Sequence, residues 1–259
     1  MKICIIGCGY VGSALACHWR DLGHTVTATT RVPERIPELL PIAHRVILLE
    51  NGNLAPAIEG QDAILLAVAP KRDGSYRETY LETAQRLMHH NPPYLLYTSS
   101  TSVYGDHRGA TVDEETIPSP SHTNSSILLE TEKTLSPACI VRLGEVVGPN
   151  RWISNKIIRM TAPLPGSGHS PVNLSALPDI VRGLDFLLTH RCQGIFNLCH
   201  DLHIPRRQLY EQVCQRHSLT PPVWDASQKG SHAGDKIVSS EKIGRIGFRC
   251  STDSSYFTT

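Results

Sequence analysis

The stretch that most constrains this chain is its beginning. An apolar run, Ile3 to Ile6, leads into Gly7-Cys8-Gly9-Tyr10-Val11-Gly12, then a helix-like segment ending at Gly23, then the β-branched run His24 to Arg31. That order predicts strand, glycine turn, helix and strand. A buried parallel strand reads as continuous apolar sequence, and Ile3 to Ile6 does. In a G-x-G-x-x-G turn of this kind Gly7 permits the tight exit, Gly9 lets backbone approach a diphosphate, and Gly12 lets the helix pack close to the sheet. The helix that starts there aims its N–H groups and the positive end of its dipole at phosphate. Glycine turns are common, but the strand before and the helix and strand after supply the context of a dinucleotide site.

The end of the second strand bears on which dinucleotide. A carboxylate about 20 residues beyond the glycines would hold the ribose 2′-OH of NAD. Here stand Thr29, Thr30 and Arg31. A guanidinium pairs with a 2′-phosphate, so NADP is the expected cofactor, with NAD the alternative if Arg31 is only a solvated surface arginine. Beside Gly7, Gly9, Tyr10, Val11, Gly12, Thr30 and Arg31, the expected cofactor contacts are Asn53 and Leu54 after the third strand, Ala67, Val68 and Ala69 after the fourth, and Ser99 at the end of the fifth. The amides of the Glu50 to Leu54 turn are placed for an adenine ring.

Downstream, Arg45 to Leu49, Gln61 to Pro70, Tyr94 to Ser100, Ala138 to Leu143 and Gly194 to Leu198 read as strands. Tyr76 to His90, Ile127 to Leu135, Asp179 to Thr189 and Arg206 to His217 read as helices. This alternation predicts an α/β fold with a doubly wound parallel sheet. Ligands in such sheets bind beyond the carboxyl ends of the strands, where Ser99 and Ser100 lie. After about residue 150 prolines and glycines mark an irregular segment, so residues 1–150 are expected to bind the dinucleotide and residues 151–259 to form a smaller substrate-side lobe that returns elements to the main domain. Asp113-Glu114-Glu115 reads as a solvated run, and the polar tail from Ser251 as frayed.

Charges nearly cancel, at +1 with histidine neutral, which argues against attraction to nucleic acid or membrane through bulk charge. No apolar run approaches the roughly 18 residues of a membrane span. The first strand begins at Met1, which leaves no signal peptide, so a cytoplasmic location is expected. The eight cysteines lack C-x-x-C pairing and are expected to be reduced. The histidines form no metal-ligating pattern, and no metal is expected.

Ser100-Thr101-Ser102-Val103-Tyr104-Gly105 carries the chain's family resemblance, with the glycine turn, Asp113-Glu114, Val141-Arg142-Leu143 leading to Gly148-Pro149-Asn150-Arg151, Asp179-Ile180-Val181, Gly194 to Leu198, and Ser239 to Ile243 with Gly247-Phe248. Over almost its whole length the chain resembles the extended short-chain dehydrogenase/reductase superfamily, in its NAD-dependent epimerase/dehydratase group. The resemblance implies a Rossmann-type sheet, a nicotinamide cofactor, and Ser100 as the hydroxyl that bonds the substrate oxygen. Two departures stand out. The glycine turn has the compact form of an atypical branch. The family's tyrosine and lysine, four residues apart with a glutamate four further on, are missing: anchoring on Glu132 puts Leu128 at the lysine position and Asn124 at the tyrosine position.

An amide does not titrate and a leucine carries no charge, so neither can serve as the proton donor that hydride transfer requires. Register cannot be slipped to repair this, because using Lys133 puts Leu129 where the phenol belongs. His122 is the alternative acid or base; Tyr104 is expected to pack beneath the site, as in relatives that keep the separate tyrosine. Two functions follow: an NADP-dependent oxidoreductase or epimerase-like enzyme acting on a small carbonyl, alcohol or sugar nucleotide, or a catalytically inactive NAD(P)-binding regulator or assembly factor. A monomer or homodimer is expected.

Overall fold

The computed structural model describes residues 1–50, 52–70, 75–228 and 234–259. Asn51, part of the expected adenine turn, lies outside them. Seven strands build the central sheet: β1 (Lys2–Ile6), β2 (Thr25–Thr30), β3 (Arg45–Leu48), β4 (Ala63–Leu66), β5 (Leu95–Ser100), β6 (Cys139–Leu143) and β7 (Gly194–Leu198). Their order is β7-β6-β5-β4-β1-β2-β3, and β1 to β5 pair in parallel. The chain steps outward from β1 to β2 and β3, then returns to the other side of β1 as β4. That reversal is the switch point where doubly wound sheets open a crevice.

The chain gathers into two compact units. One comprises residues 1–99, 126–141 and 181–195; the other comprises residues 100–125, 142–180 and 196–259. In the first, α1 (Tyr10–Asp21) buries Gly12, Leu15, Ala16 and Trp19, a spacing of three, four and seven residues that keeps one face toward the sheet. Trp19 Nε1 donates to Asp185 Oδ1 at 2.9 Å. Ile6, Leu66, Leu95, Tyr97 and Ile140 share one core with Leu54, Leu87 and Leu135.

The second unit is built from short parallel bridges, Glu145–Val147 with Leu174–Ala176 and Thr111–Val112 with Ile237–Val238. Its core joins Val147, Ile153, Val172, Leu209, Tyr210 and Phe257. A carboxylate clamp lies beside it: Glu145 accepts from Lys156 Nζ and from Arg206 Nη1, both at 2.8 Å. Burial pushes the Glu145 carboxyl up, but the two cations outweigh it and hold it at about 2. No helix among the described residues is long and apolar enough to cross a membrane.

Four local expectations are corrected. The helix expected over 76–90 begins as a π-helix, Arg77–Glu82, before the α-helix Thr83–Met88; the first stretch places Tyr76 and Tyr80 rings 5.3 Å apart. Strand β4 stops at Leu66, and the backbone beyond it, at Val68, lies close against Gly7 of the turn after β1. Glu114 is not a solvated charge: its Oε1 accepts from the backbone N–H of Asn197 at 2.6 Å, and burial raises its carboxyl. The tail is not frayed either, since Ser254–Thr258 form a 3₁₀ turn capped by Asp253, and Phe257 is fully buried. Two adjacent aromatic residues, Phe257 in the core and Tyr256 against Trp152, dock an otherwise polar segment, which composition cannot reveal.

Candidate functional site

The three glycines of the turn differ in what a side chain would meet. A Cβ on Gly7, whose φ is +89°, would lie 2.7 Å from Val68 Cα. On Gly12 it would lie 2.7 Å from Gly7 O and 3.0 Å from Ile5 Cγ2. Both are therefore glycine because protein occupies the space. Gly9 is different: nothing stands within 4 Å of a Cβ there, and its φ of −87° is not left-handed. Crowding inside the protein therefore does not account for Gly9, and the open space above it is what close approach of a diphosphate requires.

Thr29 holds the turn in shape. Its Oγ1 donates to Ile5 O at 3.1 Å and accepts from Gly7 N–H at 3.2 Å, while Cys8 N–H donates to Thr29 O. Cys8 O in turn accepts from Ser13 Oγ at 3.2 Å and from Arg35 Nη1 at 2.7 Å. Burial pushes the Cys8 thiol up. The first turn of α1 carries no acidic residue and no side-chain cap, so no carboxylate of its own competes for the positive end of the helix.

Around the turn opens a cleft of about 530 Å³, within the first unit. Of the predicted cofactor residues, Gly7, Gly9, Thr30, Arg31, Leu54, Ala67, Val68 and Ala69 line it. Tyr10 and Val11 start α1 beside it, and Gly12 is buried beneath the turn. Asn53 does not line the cleft, and its Oδ1 accepts from Ala55 N–H at the start of the short helix Ala55–Ile58. Ser99 is buried, its hydroxyl donating to Glu132 at 2.6 Å. Thr30 Oγ1 donates to Val32 O and accepts from Val32 N–H, so it shapes the exit from β2.

Sequence reasoning missed several cleft residues. Arg35 and Arg86 add two guanidinium groups, Glu78 stands 4.0 Å from Arg31, and Leu49 and Gly52 complete the wall. Arg86 packs directly on the bare Cα of Gly52, where a Cβ would collide with its Nη1. One signal was available for Arg35, which follows Arg31 by four residues in a segment already expected to turn helically. Nothing in the sequence marks Arg86 or Glu78, because they reach the cleft only through the packing of a distant helix.

The expected reaction residues lie in the second unit. Ser100 is half-buried at the end of β5, and its Oγ accepts from Ser102 N–H at 3.1 Å, capping the 3₁₀ turn Thr101–Tyr104. His122 and Asn124 are exposed, Asn124 in the first turn of the helix Thr123–Leu135. Tyr104 is fully buried: its hydroxyl donates to Asn197 Oδ1 at 2.9 Å, Arg142 lies 4.6 Å over its ring, and burial pushes the phenol up to about 12. It is a framework residue. Leu128, in the first unit, is buried.

Comparison with known proteins agrees with this geometry. A family model described as NADP oxidoreductase, coenzyme F420-dependent, matches residues 2–78. Protein YeeZ of Escherichia coli K12 is 30% identical over 265 residues, covering 95% of this chain and 94% of the relative. Among solved structures, MoeE5 in complex with UDP-glucuronic acid and NAD has a TM-score of 0.84 at 19% identity, covering 99% of this chain and 96% of that one. The human epimerase family protein SDR39U1 with NADPH has a TM-score of 0.78 at 17% identity, covering 100% and 97%. A short-chain dehydrogenase/reductase superfamily protein from Agrobacterium tumefaciens with bound NAD has a TM-score of 0.77 at 18% identity, covering 100% and 95%. With its glycine turn, switch-point cleft and serine strand, the chain belongs to the family of YeeZ and has the Rossmann-type fold of these epimerase and dehydrogenase structures.

Proposed function

We propose that this protein binds NADP(H) in the cleft beside Gly9 and acts as an oxidoreductase or epimerase-like enzyme on a small carbonyl, alcohol or sugar-nucleotide substrate. The observation that carries the reading is Gly9, whose missing side chain serves no neighbour inside the protein. Arg31 at the end of β2, half-exposed and facing the cleft, supports the phosphorylated dinucleotide. When bound, the cofactor supplies the hydride or accepts it. The chain's own residues bind and orient it: the glycine turn receives the diphosphate, and Arg31 pairs with the 2′-phosphate. Ser100 is the hydroxyl assigned to the substrate oxygen, with His122 as proton donor or acceptor. Titrating the protein with NADPH by fluorescence, then following NADPH consumption with aldehydes, ketones and nucleotide sugars, tests the reading. Turnover that falls in Ser100→Ala and His122→Ala supports these roles; turnover unchanged in both removes them.

A second reading is favoured by one observation. Leu128 is buried and apolar where the family's ammonium stands, and Asn124 replaces the phenol. On that reading the protein is a dinucleotide-binding regulator or assembly factor. Tight NADPH binding without turnover on any substrate class selects it.

A further inference from the structure

The carboxylate clamp of the second unit holds more positive charge than it neutralises. Glu145 accepts from both Lys156 Nζ and Arg206 Nη1 at 2.8 Å, and among the described residues it is the sole acid acting on either cation. Two cations against one carboxylate leave one positive charge uncancelled. The helix Arg206–His217 adds to it, since its first turn carries no acidic residue and its dipole is positive at that end. The backbone of that helix end is already engaged: Arg206 N–H donates to Ser170 O and Arg207 N–H to Gly168 O. An anion is therefore left to the side chains.

Those side chains have donors to offer. Among the described residues Arg206 Nε and Nη2 have no hydrogen-bond partner, and Lys156 Nζ makes its one bond to Glu145. One turn along the same helix from Arg206 stands Tyr210, 1% exposed, with its hydroxyl buried and without a hydrogen-bond partner. Lys156 Nζ lies 5.8 Å over the Tyr210 ring, and the phenol is within electrostatic reach of both cations. A buried hydroxyl without a partner carries a desolvation cost that a bound acceptor would offset. Lys156 is half-exposed on a flexible four-carbon stem, so it is the part of the clamp that can swing aside.

We infer that Lys156, Arg206 and Tyr210 form a site for a second carboxylate, carried by a small-molecule ligand and bound alongside Glu145. Glu145 itself shows which chemistry the cations accept, an oxyanion taking short charge-assisted N–H bonds. The ligand carboxylate takes the remaining N–H groups of Arg206 and the hydroxyl of Tyr210, and its single charge cancels the excess. The site uses no residue of the dinucleotide cleft. Resting on the enzyme reading above, the substrate is then a carbonyl or alcohol compound that carries an acid group.

The test is an NMR titration of the full chain, without dinucleotide, using acetate, its neutral isostere acetamide and inorganic phosphate as probes, on wild type, Tyr210→Phe and Glu145→Gln. Acetate is expected to bind saturably and at least about tenfold tighter than acetamide. Tyr210→Phe keeps the ring and loses the donor, and should weaken acetate about threefold to tenfold. Glu145→Gln removes the resident competitor, so acetate should bind about tenfold tighter, the reverse of what a purely structural clamp predicts. Acetate that binds no better than acetamide, or binds Tyr210→Phe and wild type alike, would overturn the inference. So would acetate affinity that is unchanged or weaker in Glu145→Gln. Phosphate binding without acetate binding would overturn the assignment to a carboxylate. Saturable acetate binding to a protein that turns over no carbonyl compound would support the site and remove the enzyme reading.

Discussion

Ser99 Oγ donates a 2.6 Å hydrogen bond to Glu132 Oε1, and both residues are buried. One lies at the end of β5 and the other near the end of the helix that follows, so the bond ties strand to helix inside the first unit. A buried carboxylate that loses a donor keeps its desolvation cost without the compensation. Ser99→Ala is therefore expected to destabilise the fold by about 1–3 kcal/mol. Ser99→Ala combined with Glu132→Gln should cost less than the sum of the two single changes. Urea denaturation of the four proteins measures the coupling, and strict additivity would show the pair to be independent.

The three glycines of the turn predict three different phenotypes. Gly12→Ala is expected to lower stability by about 1–3 kcal/mol, because the methyl group meets Gly7 O and Ile5. Gly7→Ala adds a side chain in left-handed backbone and against Val68, and should be more damaging still. Gly9→Ala should leave the melting temperature unchanged within a degree or so, while dinucleotide affinity falls about tenfold or more. Thermal melts paired with NADPH titration separate the two effects. A Gly9→Ala protein that binds NADPH like wild type would detach Gly9 from the cofactor.

Glu145 should govern part of the acid sensitivity. Its carboxyl is held at about 2 in the folded chain against an ordinary value of 4.5, so the native state favours the ionised form. That stabilisation is complete above about pH 4.5 and is lost as the pH falls toward 2, amounting to about 1–3 kcal/mol. Glu145→Gln should be less stable than wild type at pH 7 and should show a flatter decline between pH 4.5 and 2. Denaturation midpoints across that range decide it, and parallel curves for the two proteins would refute the assignment.

The carboxyl-terminal anchor is a third stability element. Phe257 is 1% exposed within the core of the second unit, with its ring 4.9 Å from that of His200. Phe257→Ala is expected to cost about 3–5 kcal/mol. Arg216 Nη1 donates to Thr258 Oγ1 at 3.0 Å at an exposed site, so Thr258→Ala should cost well under about 1 kcal/mol. Comparing the two by chemical denaturation distinguishes a docked tail from a frayed one.

Gly7, Gly9 and Gly12 were legible in the sequence because their spacing is local: strand, turn and helix follow one another within a dozen residues. The parallel sheet was legible for a related reason, since buried strands announce themselves as continuous apolar runs between helical ones. Glu114 and Phe257 were misjudged as solvated because a short polar context says nothing about a partner far along the chain. Asn197 meets Glu114 across 83 positions, and no periodicity encodes that meeting.

The sequence by itself determined the parallel, doubly wound class of the sheet and the presence of Asn124 and Leu128 where the resemblance expects a tyrosine and a lysine. Only the tertiary structure decided which side chains share the cleft. Arg35 reaches Cys8 O over 27 positions, and Glu78 arrives opposite Arg31 from a different helix. Local pattern reports how each segment folds, because backbone hydrogen bonds and the burial of one face act over a few residues. Which charges face one another depends on how those segments pack, and that is settled by the core they share.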